Sequence, residues 1–104
     1  MRRGEVWWAD LPPPVKARPV VVLTRDEVVN SIGGVVVCIV TRTVRGLPSE
    51  VPLGRAEGLP MASVANLDNI LTVPRGRLVR RMGSLNNEPA RALDQALRFA
   101  LGLA

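Results

Sequence analysis

Apolar residues along the chain form short runs that glycine, proline and charged residues separate, a pattern typical of a small protein built from strands. Two predicted strands are apolar on both faces, and we expect both in the core. The first covers residues 19–24 and begins with "PVVV", and the second, "GVVVCIVT", covers residues 34–41. The other predicted strands are residues 5–11, 49–53, 77–82 and 63–73, the last being one bent strand or two. Many short strands joined by turns predict a compact antiparallel barrel or coiled sheet.

Near the end of the chain the apolar period changes to that of a helix. Asn86 or Asn87 suits the N-cap, Pro89 belongs in a first turn, and Gly102 follows the end. Leucines and alanines recur on one side of this segment and charged residues on the other. We therefore expect an amphipathic helix whose aliphatic side packs on the sheet or on a partner chain. An earlier segment, "RDEVVNSIGG", predicts a short helical turn capped by Gly33.

Composition places the chain in the class of small basic domains. With 104 residues, of which 47% are apolar, it forms one domain over residues 1–104. The net charge is +5, and Lys16 is the single lysine among 14 basic residues, so the positive charge is almost entirely guanidinium. Arginine favours two-pronged contacts with phosphate or carboxylate. A nucleic acid or an acidic protein is thus a reasonable partner, and a solvated basic surface is the alternative.

Missing residue types exclude several kinds of site. There is no histidine and only one cysteine, Cys38, which rules out zinc fingers, metalloprotease helices, cysteine–histidine nucleophiles and serine–histidine triads. We expect no metal and no cofactor, and we interpret Cys38 as a small buried hydrophobe. No run resembles a signal peptide or a membrane span, so the expected location is the cytoplasm, away from membranes.

Arg18 and Thr41 are the first candidates for chemistry. Pro19 restricts Arg18 to an extended conformation at the entrance of one apolar strand, whereas Thr41, followed by Arg42, ends the other. If these strands pair antiparallel, the two side chains could converge into a phosphate grip. Taken alone, however, an arginine before a strand and a threonine at a strand end are more often structural.

An ordered series of short motifs resembles the MazF/PemK family of toxin endoribonucleases. The series is "RRGEVWWADL", "RPVVVLT", a valine-rich strand ending in "VT", "SEVPL", "GLPMASVANLDNILTV", "RL" and "GSL", and it covers nearly the whole chain. The resemblance implies a mainly β fold with a C-terminal helix, a small SH3-like antiparallel barrel of the MazF/PemK/CcdB type. It also implies a homodimer whose interface groove binds single-stranded RNA. The enzyme would cleave this RNA without a metal ion, and an acidic MazE-like antitoxin would hold it inactive.

The same resemblance assigns roles to individual residues. Arg18 and Thr41 match family active-site positions, and Asp68 matches an aspartate used by some members, although Asn66 replaces the arginine expected two residues earlier. Metal-free cleavage would proceed by attack of the ribose 2′-hydroxyl, leaving a 2′,3′-cyclic phosphate and a 5′-hydroxyl. Arg18 would then stabilise the phosphate charge, Thr41 would position the reacting groups, and Asp68 would serve as a base or else only cap a turn.

Further residues are expected to bind the RNA, and two other functions stay open. The expected RNA-binding residues are Lys16, Arg42, Asn66, Arg75 and Arg77. One alternative is a CcdB-like toxin that binds gyrase and cleaves nothing, although the ending "RFALGLA" lacks the tryptophan expected of that mode. The other is a catalytically inactive RNA-binding barrel.

Overall fold

Six antiparallel strands and one helix make up the computed structural model, which describes all 104 residues. The strands are β1 (Glu5–Ala9), β2 (Arg18–Val22), β3 (Gly34–Thr41), β4 (Glu50–Leu53), β5 (Ser63–Pro74) and β6 (Leu78–Ser84), and the helix is α1 (Asn87–Leu101). They form one sheet in the order β4-β5-β3-β2-β1-β6. The prediction of a mainly β fold with a C-terminal helix is therefore confirmed.

The sheet buries apolar residues on both faces. On one face Cys38 and Val40 belong to a cluster that includes Leu93 and Ala96 of α1. Facing the other way, Val37 and Ile39 belong to a second cluster, which includes Val29 from the loop after β2. The valine-rich strand β3 thus lies at the centre of the molecule, as its doubly apolar sequence predicts.

The two edges of the sheet approach each other through a short 3₁₀ turn, Arg55–Glu57, that follows β4. A Cβ atom added to Gly58 would lie 2.1 Å from the carbonyl oxygen of Met82 on β6. This contact between the turn and the opposite edge strand curls the sheet into a small, partly open barrel.

Helix α1 begins and ends where the sequence predicts. Asn86 holds the N-cap position, and Gly102 adopts a left-handed conformation (φ 68°) in which its N–H donates to the carbonyls of Arg98 and Phe99. Arg3 ties the helix to the sheet, because its Nη2 donates to Asp94 at 2.9 Å and its Nε to the Leu23 carbonyl at 3.0 Å. With 15 residues, α1 is too short to cross a bilayer, and the chain contains no other α-helix.

Gly33 does not cap the helical turn predicted before β3. Isolated bonds from the N–H of Val29 to Arg25 and from Ile32 to Val28, both 3.1 Å long, produce consecutive turns that do not continue into a helix. Gly33 does not have the positive φ of a glycine cap. Instead, the Arg75 guanidinium binds the carbonyls of Val29 and Ile32 and so satisfies the groups that a cap would satisfy.

Strand β5 is the single bent strand that the sequence left open as one of two possibilities. Cys38 pairs with Ile70, but the next residue on β3, Ile39, pairs with Asn66. Residues 67–69 therefore have no partner on β3 and bulge out of the ladder. A bulge of this kind re-aims the side chains that it carries, among them Asp68.

Candidate active site

Arg18 is the first residue of β2, where the sequence predicted the strand to start one residue later. Its Cα lies opposite Ala9 on β1, and the following Pro19 lies opposite Trp8. The Arg18 side chain is half-buried, and its Nε is fully buried without a hydrogen-bond acceptor in the protein. Arg18 takes part in none of the ion pairs of the chain, so its positive charge is available to an anion, which makes this residue a candidate for anion binding.

Thr41 lies at the end of β3, beside the start of β2. Strands β2 and β3 pair antiparallel with Val20 opposite Ile39, and the same register, continued two residues past the paired stretch, would place Arg18 beside Thr41. The Thr41 hydroxyl accepts a bond from the Thr43 N–H at 3.2 Å and is otherwise free to donate. The antiparallel pairing on which their convergence depends is therefore present, and both residues line one cavity.

This cavity has a volume of about 910 Å³ and an asymmetric lining. Four of its lining residues are arginines, and none is a carboxylate: Arg18, Arg42, Arg55 and Arg80. Apolar side chains of Trp8, Val40, Leu59 and Met82 line it as well. Uncompensated guanidinium groups beside an apolar surface suit a ligand that carries both phosphate and a flat base.

One wall of the cavity depends on a contact between two glycines. Gly58 (φ 89°) follows the 3₁₀ turn, and Gly83 lies on β6; a Cβ atom on Gly83 would be 2.3 Å from the Glu57 carbonyl oxygen. The Glu57 carboxylate in turn accepts a bond from the Gly54 N–H at 2.6 Å. These contacts fix the turn that brings Arg55 into the cavity. Arg55 was not predicted as a site residue, because "GRAEGLPM" indicates only a loop.

The two adjacent tryptophans have different environments. Trp7 donates from Nε1 to the Glu5 carboxylate at 3.0 Å and packs against the apolar cluster around Ile39, whereas Trp8 lines the cavity. Trp8 lies opposite Pro19 on β2 and Arg80 on β6. Alternation along β1 thus assigns Trp7 to packing and Trp8 to the cavity.

Glu5 is held by three donors. Burial raises the pKa of its carboxyl. Hydrogen bonds from Trp7, the Arg2 N–H and Arg81 lower it, as does the positive charge of Arg81. The lowering effects are larger, so the pKa lies below its ordinary value of 4.5. The Arg81 Nε lies 2.9 Å from the carboxylate. This ion pair connects β1 to β6, the strand that supplies Arg80 and Met82 to the cavity.

Asp68 and Asn66 lie outside the cavity lining. Asp68 is exposed on the β5 bulge, where its carboxylate accepts a 2.5 Å bond from the Ser49 hydroxyl. Its N–H donates to the Asn66 side chain at 2.9 Å. The Asp68 carboxylate and the Asn66 amide thus stabilise the β5 bulge. A catalytic role for Asp68 stays a prediction.

The remaining predicted RNA-binding residues are divided between the cavity and its surroundings. Arg42 lines the cavity, with its Nη1 3.0 Å from the Met61 sulfur. Lys16 is exposed in a left-handed conformation (φ 66°) on the loop before Ala17, which lines the cavity. Arg75 is engaged with loop carbonyls, and Arg77 is exposed in the same short 3₁₀ turn. No three His, Cys, Asp or Glu side chains lie together in a group that could bind a metal ion.

Comparisons with known proteins give a consistent picture over nearly the whole chain. Residues 2–101 match the family described as PemK-like, MazF-like toxin of type II toxin-antitoxin system. Probable endoribonuclease MazF2 of Mycobacterium tuberculosis (strain CDC 1551 / Oshkosh) is 47% identical, with 98% of this chain and 99% of that protein covered. Probable endoribonuclease MazF5 of Mycobacterium tuberculosis (strain ATCC 25618 / H37Rv) is 40% identical, with 95% and 91% covered.

Solved structures agree with the sequence comparisons. Mycobacterium tuberculosis toxin MazF-mt6 superposes with a TM-score of 0.89 at 39% identity, covering 96% of this chain and 98% of that one. An endoribonuclease in complex with its cognate antitoxin, from a mycobacterial species, superposes with a TM-score of 0.89 at 29% identity, covering 100% and 97%. The similarity therefore extends to the arrangement of the strands and of the helix.

Proposed function

Since this chain belongs to the PemK-like, MazF-like family of type II toxin–antitoxin toxins, we propose that it is a toxin that cuts single-stranded RNA at specific sequences without a metal ion. Relatives that are 40–47% identical over nearly their full length carry the name endoribonuclease. The observation that carries the proposal is the cavity with four arginines and no carboxylate, which both Arg18 and Thr41 line.

The proposed reaction needs few groups. The ribose 2′-hydroxyl loses a proton and attacks the adjacent phosphorus in line, the bond to the 5′-oxygen breaks, and that oxygen gains a proton. The products are a 2′,3′-cyclic phosphate and a 5′-hydroxyl, so no water molecule is consumed in this step. The phosphorus passes through a crowded state in which negative charge increases on its non-bridging oxygens.

Arg18 is proposed to stabilise this charge. Arg18 lines the cavity and forms no ion pair with a protein carboxylate, so it does not have to break an ion pair within the protein in order to bind phosphate. A preorganised donor of this kind acts mainly on the transition state. Arginine hardly loses its proton in proteins, so Arg18 is assigned charge stabilisation and no role as a base. Thr41 is assigned the positioning of the phosphate or of the 2′-hydroxyl through its own hydroxyl.

Asp68 is proposed as the base that removes the 2′-hydroxyl proton, and this role requires that the RNA reach it. Its carboxylate is exposed and outside the cavity, and the Ser49 hydroxyl already donates to it. To accept the proton it must come within hydrogen-bond reach of the 2′-hydroxyl beside the phosphate that Arg18 binds, so the reacting nucleotide has to reach from the cavity to the β5 bulge. Lys16, Arg42, Asn66, Arg75 and Arg77 are proposed as contacts of that RNA, with Arg42 nearest to Thr41 in the chain and in the same cavity.

Partners and location follow from the family. We propose a homodimer, whose two basic surfaces together bind a longer stretch of RNA, and an acidic MazE-like antitoxin that neutralises the arginines. The net charge of +5 and the lack of carboxylates in the cavity support an acidic inhibitor. RNA cleavage in the cytoplasm would inhibit translation and growth.

One assay tests the function. The purified chain is incubated with a long single-stranded RNA in the presence of EDTA, and the fragment ends are mapped. Cleavage at a repeated short sequence, with 5′-hydroxyl ends, supports the proposal. RNA that binds without being cut would instead indicate an inactive RNA-binding barrel, and inhibition of gyrase with intact RNA would indicate a CcdB-like toxin.

A further inference from the structure

Met61 is the most accessible of the three methionines and lies in the wall of the cavity. The residue is 52% exposed, whereas Met1 and Met82 are half-buried. A thioether is oxidised more readily when solvent reaches its sulfur, because the oxidant must approach a sulfur lone pair. Cys38, the other sulfur residue, is fully buried, and burial raises the pKa of its thiol to about 12, so it does not compete as a thiolate.

The Met61 sulfur has a specific neighbour. The Arg42 Nη1 donates to it over 3.0 Å, and both side chains line the cavity that holds Arg18 and Thr41. Arg42 takes part in none of the three ion pairs of the chain. A thioether sulfur is a weak acceptor, so this contact leaves the guanidinium available to a phosphate.

We propose that Met61 is a reversible oxidation site that controls the availability of Arg42. A peroxide is the chemical class of oxidant. The sulfur lone pair attacks one peroxide oxygen, the O–O bond breaks as the S–O bond forms, and the second oxygen leaves as water after proton transfer. The sulfur loses two electrons and the peroxide gains them, so hydrogen peroxide and the thioether give the sulfoxide and one water molecule.

Oxidation changes what Arg42 binds. A sulfoxide oxygen is a strong acceptor that carries partial negative charge, and the guanidinium already lies beside it. Arg42 is then held against residue 61 instead of a phosphate, and the cavity presents one cation fewer to RNA. Methionine sulfoxide reductases reverse this change, so the site is a switch. The effect on RNA rests on the proposed function, whereas the modification itself does not.

The modification is tested first, by peptide mapping of the full chain during a hydrogen peroxide titration. We expect a mass increase of one oxygen at residue 61 before Met82 and Met1 react, and its loss after treatment with methionine sulfoxide reductases. Simultaneous oxidation of all three methionines, or oxidation of Met82 first, would overturn the proposal whatever the RNA assays give.

The effect of oxidation on RNA cleavage is tested by measuring the cleavage rate of each variant before and after treatment with hydrogen peroxide, and by comparing the ratio of the two rates. We expect about a tenfold loss in the natural protein, the contribution of one charge-assisted contact, and a similar loss in Met82→Leu. Met61→Leu and Arg42→Ala should both lose little on oxidation, whatever their starting rates. An equal loss in Met61→Leu would refute the role of Met61, and an equal loss in Arg42→Ala would refute the coupling to Arg42.

A second readout separates this inference from the proposed function. Binding of an RNA that carries 2′-O-methyl groups and cannot be cleaved is measured by fluorescence anisotropy before and after peroxide. If RNA is bound but never cut, the nuclease proposal fails while weaker binding after oxidation still supports the switch. If RNA is neither bound nor cut, the proposed function and the control of RNA binding fail together, and the peptide map alone decides the modification site.

Discussion

Gly58 and Gly83 pack backbone against backbone, since a Cβ atom placed on Gly83 would lie 3.1 Å from the Cα of Gly58 and 2.3 Å from the Glu57 carbonyl oxygen. The contact joins the 3₁₀ turn after β4 to β6, the strand at the other end of the sheet order. It brings the two edges of the sheet together and forms one wall of the cavity. A side chain at either position must push the turn and the strand apart.

Gly83→Ala should therefore destabilise the fold by about 2–3 kcal/mol, the usual effect of forcing atoms into a packed contact. Chemical denaturation monitored by tryptophan fluorescence measures the change. Gly76→Ala is the matched control, because a Cβ atom there meets nothing within 4 Å, and it should change stability by less than about 0.5 kcal/mol. Equal effects of the two substitutions would contradict the assigned contact.

Arg18→Ala should reduce RNA cleavage by about 10²–10³-fold, the effect of removing one preorganised donor to the transition state. The folded state should be retained, because the Arg18 Nε has no bond to the protein that the substitution would break. Single-turnover cleavage and thermal unfolding are measured together. Arg91→Ala, which removes the same charge from an exposed position on α1, should cut at nearly the natural rate.

Asp68→Asn distinguishes a base from a structural carboxylate. If Asp68 accepts the 2′-hydroxyl proton, cleavage falls by about 10²–10⁴-fold and the acidic limb of the pH–rate profile disappears. If Asp68 only receives the Ser49 bond, the asparagine oxygen still accepts a neutral bond, so stability falls by at most about 1 kcal/mol and the pH–rate profile keeps its shape. Ser49→Ala is the control, since it removes the donor of this bond but leaves the carboxylate in place.

Glu5→Gln should remove a pH-dependent contribution to stability. The pKa of Glu5 is lowered in the folded state, so its carboxylate stabilises the fold above its ordinary value of 4.5, and this contribution is lost as the pH falls through the lowered value. Urea denaturation should give a constant difference of about 1–2 kcal/mol between pH 5.5 and 7, which shrinks in more acidic buffer. Glu27→Gln, at an exposed turn position, should follow the natural profile.

Cys38 should resist alkylation in the folded protein. Burial raises the pKa of its thiol to about 12, so almost no thiolate exists at pH 8, and no solvent reaches the sulfur. Mass spectrometry after iodoacetamide treatment should find the native chain unmodified and the chain in denaturant fully modified. Rapid labelling of the native protein would mean that β3 opens locally far more often than a central strand should.

Local sequence signals predicted the regular elements well where neighbouring residues decide the structure. Strand β3 has the predicted bounds, because its apolar run begins after Gly33 and ends before the polar residues that follow Thr41. Helix α1 matches because Asn86 holds the N-cap position, although its side chain caps no N–H, and because Gly102 ends the helix in a left-handed conformation. In each case the signal and the structure that it produces are only a few residues apart.

Features that depend on distant contacts were not predictable in this way. The bulge at residues 67–69 separates two stretches of β5 that both pair with β3. The register of each stretch depends on β3, and no local sequence pattern determines it. Arg55 enters the cavity only because two glycines 25 positions apart in the sequence allow a close approach. Arg75 looked like part of a basic RNA-binding cluster, but it binds the carbonyls of a loop more than 40 residues earlier. Tertiary pairing decides all three.

The buried Nε of Arg18 also has a consequence for the lifetime of the protein. A dehydrated donor without an acceptor weakens the fold slightly, and an anion that binds the folded chain at Arg18 stabilises it by an amount that grows with the logarithm of the anion concentration relative to its dissociation constant. Inorganic phosphate, RNA or an acidic peptide should each raise the melting temperature and slow proteolysis. The chain is then most durable while its arginines are covered, and degradation of an inhibitor would release a catalyst that is also easier to destroy.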